Sequence, residues 1–129
     1  RLSTTDWAAS SRLTVGNIAI NLKEDDEVVC VLPIHNDTDD LGLFFDGGYG
    51  KRVRLNEIPK QNRRTRGIMV SKGENDIVAA TLIQDGDQVL IFGDKNSILL
   101  EATEIPVIGR AAQGNLMIQN KQIKSVSKI

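Results

Sequence analysis

The sequence predicts an all-β fold built from short antiparallel strands, and three observations predict it. Apolar residues alternate or cluster over only a few positions at a time, turn-forming residues punctuate them, and one set of residues recurs along the chain. No segment keeps an apolar period of 3.6 residues over a dozen positions, so helices are not expected.

The elements follow in order. Ile18, Ile20 and Leu22 alternate with Asn17, Ala19 and Asn21, the pattern of a half-buried strand. Val28 to Ile34 is a short β-branched run, and Leu41 to Phe45 is another, ending at the turn signal Asp46-Gly47-Gly48. The next strand starts at Lys51, with Val53 and Leu55 as its apolar positions, so Arg52 and Arg54 are expected together on its outer face. Ile77 to Ile83 and Gln88 to Phe92 flank Asp85-Gly86, a pair that favours a tight hairpin with positive φ at both central positions. Ile98 to Leu100, Asn115 to Ile118 and Ile123 to Ile129 complete the strands.

With 129 residues, the chain is long enough for one compact domain with a real core. Charged residues at 26% and hydrophobic residues at 40% argue against disorder. The longest apolar run, Val28 to Pro33, is too short to cross a bilayer, and no charged and apolar leader opens the chain. A start at Arg1 rather than Met suggests a piece of a longer protein. The single cysteine, Cys30, forms no internal disulfide, fits a cytoplasmic setting, and is expected in the core as a small hydrophobe.

A net charge of -1 conceals an asymmetry. Lys51, Arg52, Arg54, Lys60, Arg63, Arg64, Arg66 and Lys72 fall within 22 residues, interrupted by the single acid Glu57, so this stretch carries +7 and the remainder -8. A local field of this kind steers partners more than the total charge does.

The repeat is marked by arginine four residues before glycine: Arg12 and Gly16, Arg63 and Gly67, Arg110 and Gly114. A shift of 47 also superposes Phe45 on Phe92 and Glu57-Ile58-Pro59 on Glu104-Ile105-Pro106, and a shift of 51 brings Asp6-Trp7-Ala8 onto the first of these. Repeats near this length signal propeller-like or solenoid folds, each copy one supersecondary unit packed on its neighbours. Units of roughly residues 16–66 and 67–113, with partial units at the ends, are expected. Fewer than three complete units should leave strand edges that are capped by polar residues or buried by self-association.

Three segments carry a family resemblance. Asp46-Gly47-Gly48-Tyr49-Gly50-Lys51-Arg52 resembles the Asn-Gly-Tyr-Gly-Lys-Arg turn in the C-terminal repeats of the A subunits of bacterial DNA gyrase and topoisomerase IV. Glu57-Ile58-Pro59 followed by Asn62 to Ile68 resembles the segment after that turn, and Glu104 to Gly114 resembles the family's final blade. The resemblance covers nearly the whole chain in order. It implies the last two blades of a six-bladed β-pinwheel, a propeller-like fold whose rim binds and bends duplex DNA. It also implies two protein partners, the ATPase-bearing B subunit together with the remainder of the A subunit, in a cytoplasmic, chromosome-associated setting. The family's gyrase box, Gln-Arg-Arg-Gly-Gly-Lys-Gly, has no equal here, Gln61 to Gly67 being a degenerate relative. Its active-site tyrosine belongs to an N-terminal part that this chain lacks, and Tyr49 is a turn residue.

The candidate DNA-binding residues are therefore Arg12, Lys51, Arg52, Arg54, Lys60, Arg63, Arg64, Arg66, Lys72 and Arg110. Arginine suits phosphate because its planar fork binds two oxygens, and Gly67 lets backbone approach a ligand closely. A basic cluster alone is more often a solvated face; the repeat and the resemblance favour docking. At the 47-residue shift, Lys51, Arg52 and Arg54 become Ile98, Leu99 and Glu101, so the last unit should bind weakly. Phosphate contacts give affinity without base preference.

No catalytic residues, metal site or cofactor are expected. His35 and Cys30 alone make no zinc site, Asn36 to Asp40 lacks EF-hand spacing, Ser10 and Ser11 lack a base, and Gly47 to Gly50 precedes a strand rather than a helix. Trp7 aligns with Ile58, which points to packing rather than base stacking. The competing reading is a propeller-type protein-interaction module with a basic docking face.

Overall fold

A computed structural model describes residues 1–73, 75–119 and 122–129. The chain forms two compact units that interleave in sequence: Arg1–Glu27 with Ile58–Ile68, and Val28–Glu57 with Met69–Ile129. All seven strands among the described residues belong to the second unit.

In that unit β1 (Asp40–Phe45) and β2 (Tyr49–Arg54) form a hairpin closed by Asp46-Gly47-Gly48, and β3 (Ile77–Ile83) pairs with the other edge of β1. Gly47 and Gly48 both take positive φ, near 87° and 88°, as the turn signal implied. β4 (Gln88–Gly93) is the centre of a second sheet, flanked by β5 (Ser97–Glu101) and β7 (Ile123–Lys128). β6 (Asn115–Leu116) crosses back to extend the first sheet along β2. The strand orders are β3-β1-β2-β6 and β5-β4-β7, all antiparallel.

The second sheet repeats the first: a central strand, its hairpin partner, and a late strand on the far edge. Both central strands shift register near their ends, at Phe44/Phe45 and at Phe92/Gly93. β1 is buried along almost its whole length, as a strand covered on both faces must be, whereas the edge strand β5 alternates, with Ser97, Leu99 and Glu101 exposed. The core joins the sheets through Phe44, Ile83, Val89, Ile91, Ile105, Ile118 and Ile123, and β3 packs against β7. Fully burying each such side chain contributes about 1.5–3 kcal/mol. The 3₁₀ turns Thr4–Asp6, Leu55–Glu57 and Ala102–Glu104 recur at the sequence spacings of 51 and 47.

Four expectations are corrected. Ile18 to Leu22 is not a strand: Ile20 makes one isolated parallel bridge with Thr65, and Ile18, Ile20 and Leu22 stay exposed. Val28 to Ile34 is irregular, with Val28, Val29 and Val31 exposed, and no partner strand flanks it among the described residues. β-Propensity becomes a strand only where a neighbour supplies a hydrogen-bonding edge. Cys30 lies in this segment and is exposed rather than in the core. Asp85-Gly86 makes no β-hairpin, because β3 and β4 belong to different sheets. It forms a turn closed by the Asp87 N–H donating to Gln84 O at 3.0 Å, with neither central φ positive. The Asp85 carboxylate accepts instead from Arg52 Nη2, in the turn that crosses between the sheets.

Candidate nucleic-acid interface

The basic residues separate into three groups once folded. The first is internal. Arg52 is 2% exposed; its Nε and Nη2 donate to Asp40 Oδ2 at 3.1 and 2.6 Å, Nη2 also reaches Asp85 Oδ1 at 2.6 Å, and Nη1 donates to Ala102 O at 3.0 Å. Burial opposes its charge, but the hydrogen bonds with Asp85 and Asp40 prevail and hold its pKa above the ordinary value. Lys51 is fully buried, and its Nζ donates to Gly109 O, Arg110 O and Ala112 O at 3.2, 2.9 and 2.5 Å. All three of its donors are thereby matched. Burial lowers its pKa, and the charge of Glu57 partly offsets this.

The outward placement of Arg52 and the phosphate role of Lys51 are thus corrected. The negative group that the paired arginines required is Asp40, itself 1% exposed, inside the same hairpin. Arg54, 55% exposed, shares that carboxylate through Nη1 at 3.1 Å. Asp40 and Asp85 were missed as functional partners. A signal existed for Asp40: the three-residue turn pairs Phe45 with Tyr49, which sets Asp40 opposite Arg54 and two residues from the partner of Arg52.

The second group stands at the repeat position. Gly16, Gly67 and Gly114 all have positive φ, near 88°, 80° and 101°. Arg63 Nη1 donates to Ile18 O at 3.4 Å, and Arg110 Nη1 donates to Met69 O at 3.3 Å, the same contact one repeat later. Part of the reason for the recurring arginine is therefore architectural, since it ties a loop to a neighbouring carbonyl. One bond of this kind leaves most of the five guanidinium donors for other acceptors.

The third group is exposed: Arg12, Lys60, Arg64, Arg66 and Lys72. Arg64 has φ 67°, a left-handed conformation costing roughly 1–2 kcal/mol in a non-glycine residue. Its N–H donates to Ala19 O at 3.0 Å, and the Asn21 N–H donates to Thr65 O at 2.8 Å, so the loop is held on both sides of that residue. In the first unit, Asp6, Asn62, Arg63 and Arg64 line an open cleft of about 460 Å³, and the Arg63 guanidinium lies 5.6 Å from the centroid of the Trp7 ring. Trp7 is half-buried, unlike its repeat equivalents Ile58 and Ile105, which are 6% and 1% exposed.

Among the described residues, no group of three or more His, Cys, Asp or Glu could hold a metal ion, and no helix is long and apolar enough to cross a membrane. The sheets and repeated arginine loops define a propeller-type repeat protein with an internal charge network. The chain belongs to the DNA gyrase C-terminal domain, beta-propeller family, which matches residues 8–35, 46–85 and 87–124. It is 30% identical over 122 residues to the DNA gyrase A protein of Salmonella typhimurium, covering 92% of this chain and 14% of that protein. Against the DNA gyrase A protein of Staphylococcus aureus it is 29% identical over 126 residues, again 92% of this chain and 14% of the relative. Its fold is similar to a DNA gyrase A C-terminal domain with TM-score 0.85 and 26% identity, covering 97% of this chain and 45% of that one. A topoisomerase IV C-terminal domain shares the fold with TM-score 0.79 at 24% identity, over 86% of this chain and 37% of the other. The chain spans about one seventh of the length of these curated relatives.

Proposed function

We propose that this chain binds duplex DNA through its phosphates, without base preference, as part of the wrapping surface of a type IIA topoisomerase. Its place there is the C-terminal region of the A subunit. Its proposed partners beyond DNA are the ATPase-bearing B subunit plus the other domains of its own subunit, in the bacterial cytoplasm. Strand cleavage and ATP hydrolysis belong to those other parts, and the chain needs no cofactor of its own. The observation that carries this reading is that most of the basic residues of the cationic stretch stay exposed. With Lys51 and Arg52 committed internally, Arg54, Lys60, Arg64, Arg66 and Lys72 remain exposed within one short stretch of sequence, and Arg63 is half-exposed. Family membership supports it independently.

The test is binding to random-sequence duplex across a salt series. Four contacts, from Arg54, Arg63, Arg64 and Arg66, give a slope of log affinity against log salt near -3.6, at about -0.9 for each neutralised phosphate. Replacing Arg63, Arg64 and Arg66 together by glutamine should weaken all duplexes alike and flatten the slope by about 3 units. Arg110→Gln alone should matter less, because Ile98, Leu99 and Glu101 supply no cationic companions there. An unchanged slope in the triple variant would put the DNA elsewhere and favour a protein-docking role for the basic face.

A further inference from the structure

Trp7 breaks the pattern of its repeat position. The residue after each 3₁₀ turn is Trp7, Ile58 or Ile105, and the two isoleucines are buried while the tryptophan is only half so. Packing alone is met by isoleucine at the other two copies. The added feature of the first copy is an aromatic face, and the Arg63 guanidinium lies 5.6 Å from the ring centroid. Trp7 is also the sole tryptophan of the chain.

An indole face attracts a guanidinium through the ring quadrupole and uses none of its N–H groups. Arg63 is therefore held from two directions, by the ring and by the bond from Nη1 to Ile18 O, while its remaining donors stay available. Asp6, Asn62, Arg63 and Arg64 line the adjoining cleft, so its lining residues include two arginines and one aspartate. The strained left-handed backbone of Arg64 lies beside them, at a position where the loop tolerates a conformational cost.

We infer that Trp7 is a positioning residue: it preorganises Arg63 so that this cleft seats one backbone phosphate of the bound duplex. The inference rests on the DNA-binding reading above. Fixing a long, rotamer-rich side chain before binding removes part of the ordering cost at association. Occupation of the cleft changes the surroundings of the indole, so Trp7 fluorescence reports it directly.

The experiment uses the 129-residue chain and a random-sequence duplex. Trp7→Ile adopts the residue that the other two copies carry, so packing is retained while the aromatic face is lost. It should weaken binding roughly two- to fivefold, with Trp7→Phe recovering part of the loss. The decisive measurement is the double variant: in an Arg63→Gln background, Trp7→Ile should cause no further loss. Wild-type Trp7 emission should shift on titration with duplex, and Arg63→Gln at matched saturation should shift less. Independent, additive losses, or wild-type affinity in Trp7→Ile, would overturn the inference and leave DNA binding standing. Absence of duplex binding by the wild-type chain would overturn both. Thermal unfolding of Trp7→Ile separates lost folding from lost positioning, and Trp7→Phe carries the test if Trp7→Ile fails to fold.

Discussion

Arg52 and Asp40 meet inside the β1–β2 hairpin, with Nη2 2.6 Å from Oδ2 and both side chains almost wholly removed from solvent. Asp40 also holds Arg54, and Arg52 also holds Asp85, so one buried carboxylate and one buried guanidinium link the hairpin to the turn that changes sheets. The pair supports the fold rather than the proposed DNA contact.

Removing one partner of this pair leaves the other charged and buried. Asp40→Asn and Arg52→Gln should each destabilise the chain by about 3–5 kcal/mol, read as a fall in the urea midpoint. Under conditions where Arg52→Gln remains folded, its salt slope for duplex should equal that of the wild type. A slope reduced by about 0.9 would return Arg52 to the DNA-contacting set.

Lys51 joins β2 to the loop carrying Arg110. Lys51→Met should strand three carbonyl groups and cost about 1–3 kcal/mol by denaturant unfolding. The ammonium also has a pH signature. Its folded pKa lies below the ordinary 10.5, so between the two values the unfolded chain binds more protons. The stability contributed through this titration is greatest above 10.5 and falls as pH drops through the lowered pKa. Wild-type stability relative to Lys51→Met should therefore rise with pH in the alkaline range below 10.5, and a flat difference would contradict the burial effect.

Arg64 sets stability against binding. Glycine adopts its φ of 67° without strain, so Arg64→Gly should raise stability by about 1 kcal/mol in thermal unfolding. The same change removes one cation and should flatten the salt slope by about 0.9. A stability loss would mean that the arginine side chain contributes more packing than its exposure implies.

The three repeat glycines should differ in tolerance. A Cβ on Gly114 would stand 2.7 Å from Gly50 O, whereas one on Gly16 would meet nothing within 4 Å. Gly16→Ala should cost only the backbone strain, about 1–2 kcal/mol, and Gly114→Ala clearly more, because backbone must also move. Equal losses in differential scanning calorimetry would show that the close approach at Gly50 yields easily.

The sequence by itself determined the strands from Leu41 onward, the Asp46-Gly47-Gly48 turn and the repeat spacing. It also marked the three glycines that proved to share positive φ. These follow from local rules: alternation, turn chemistry and recurrence act within a few residues of chain. Only the tertiary structure decided the rest. Ile18 to Leu22 and Val28 to Ile34 have strand-like composition, yet a strand also needs an edge to bond to, and composition does not supply one. Asp85-Gly86 has hairpin chemistry, but Arg52 claims the Asp85 carboxylate while β3 and β4 pair elsewhere. The basic run between Lys51 and Lys72 reads as one field in sequence. Folding divides it, because a charge is internal or external according to the partner brought to it. Asp40, Asp85 and three loop carbonyls take Arg52 and Lys51 inward, while Arg64, Arg66 and Lys72 stay exposed.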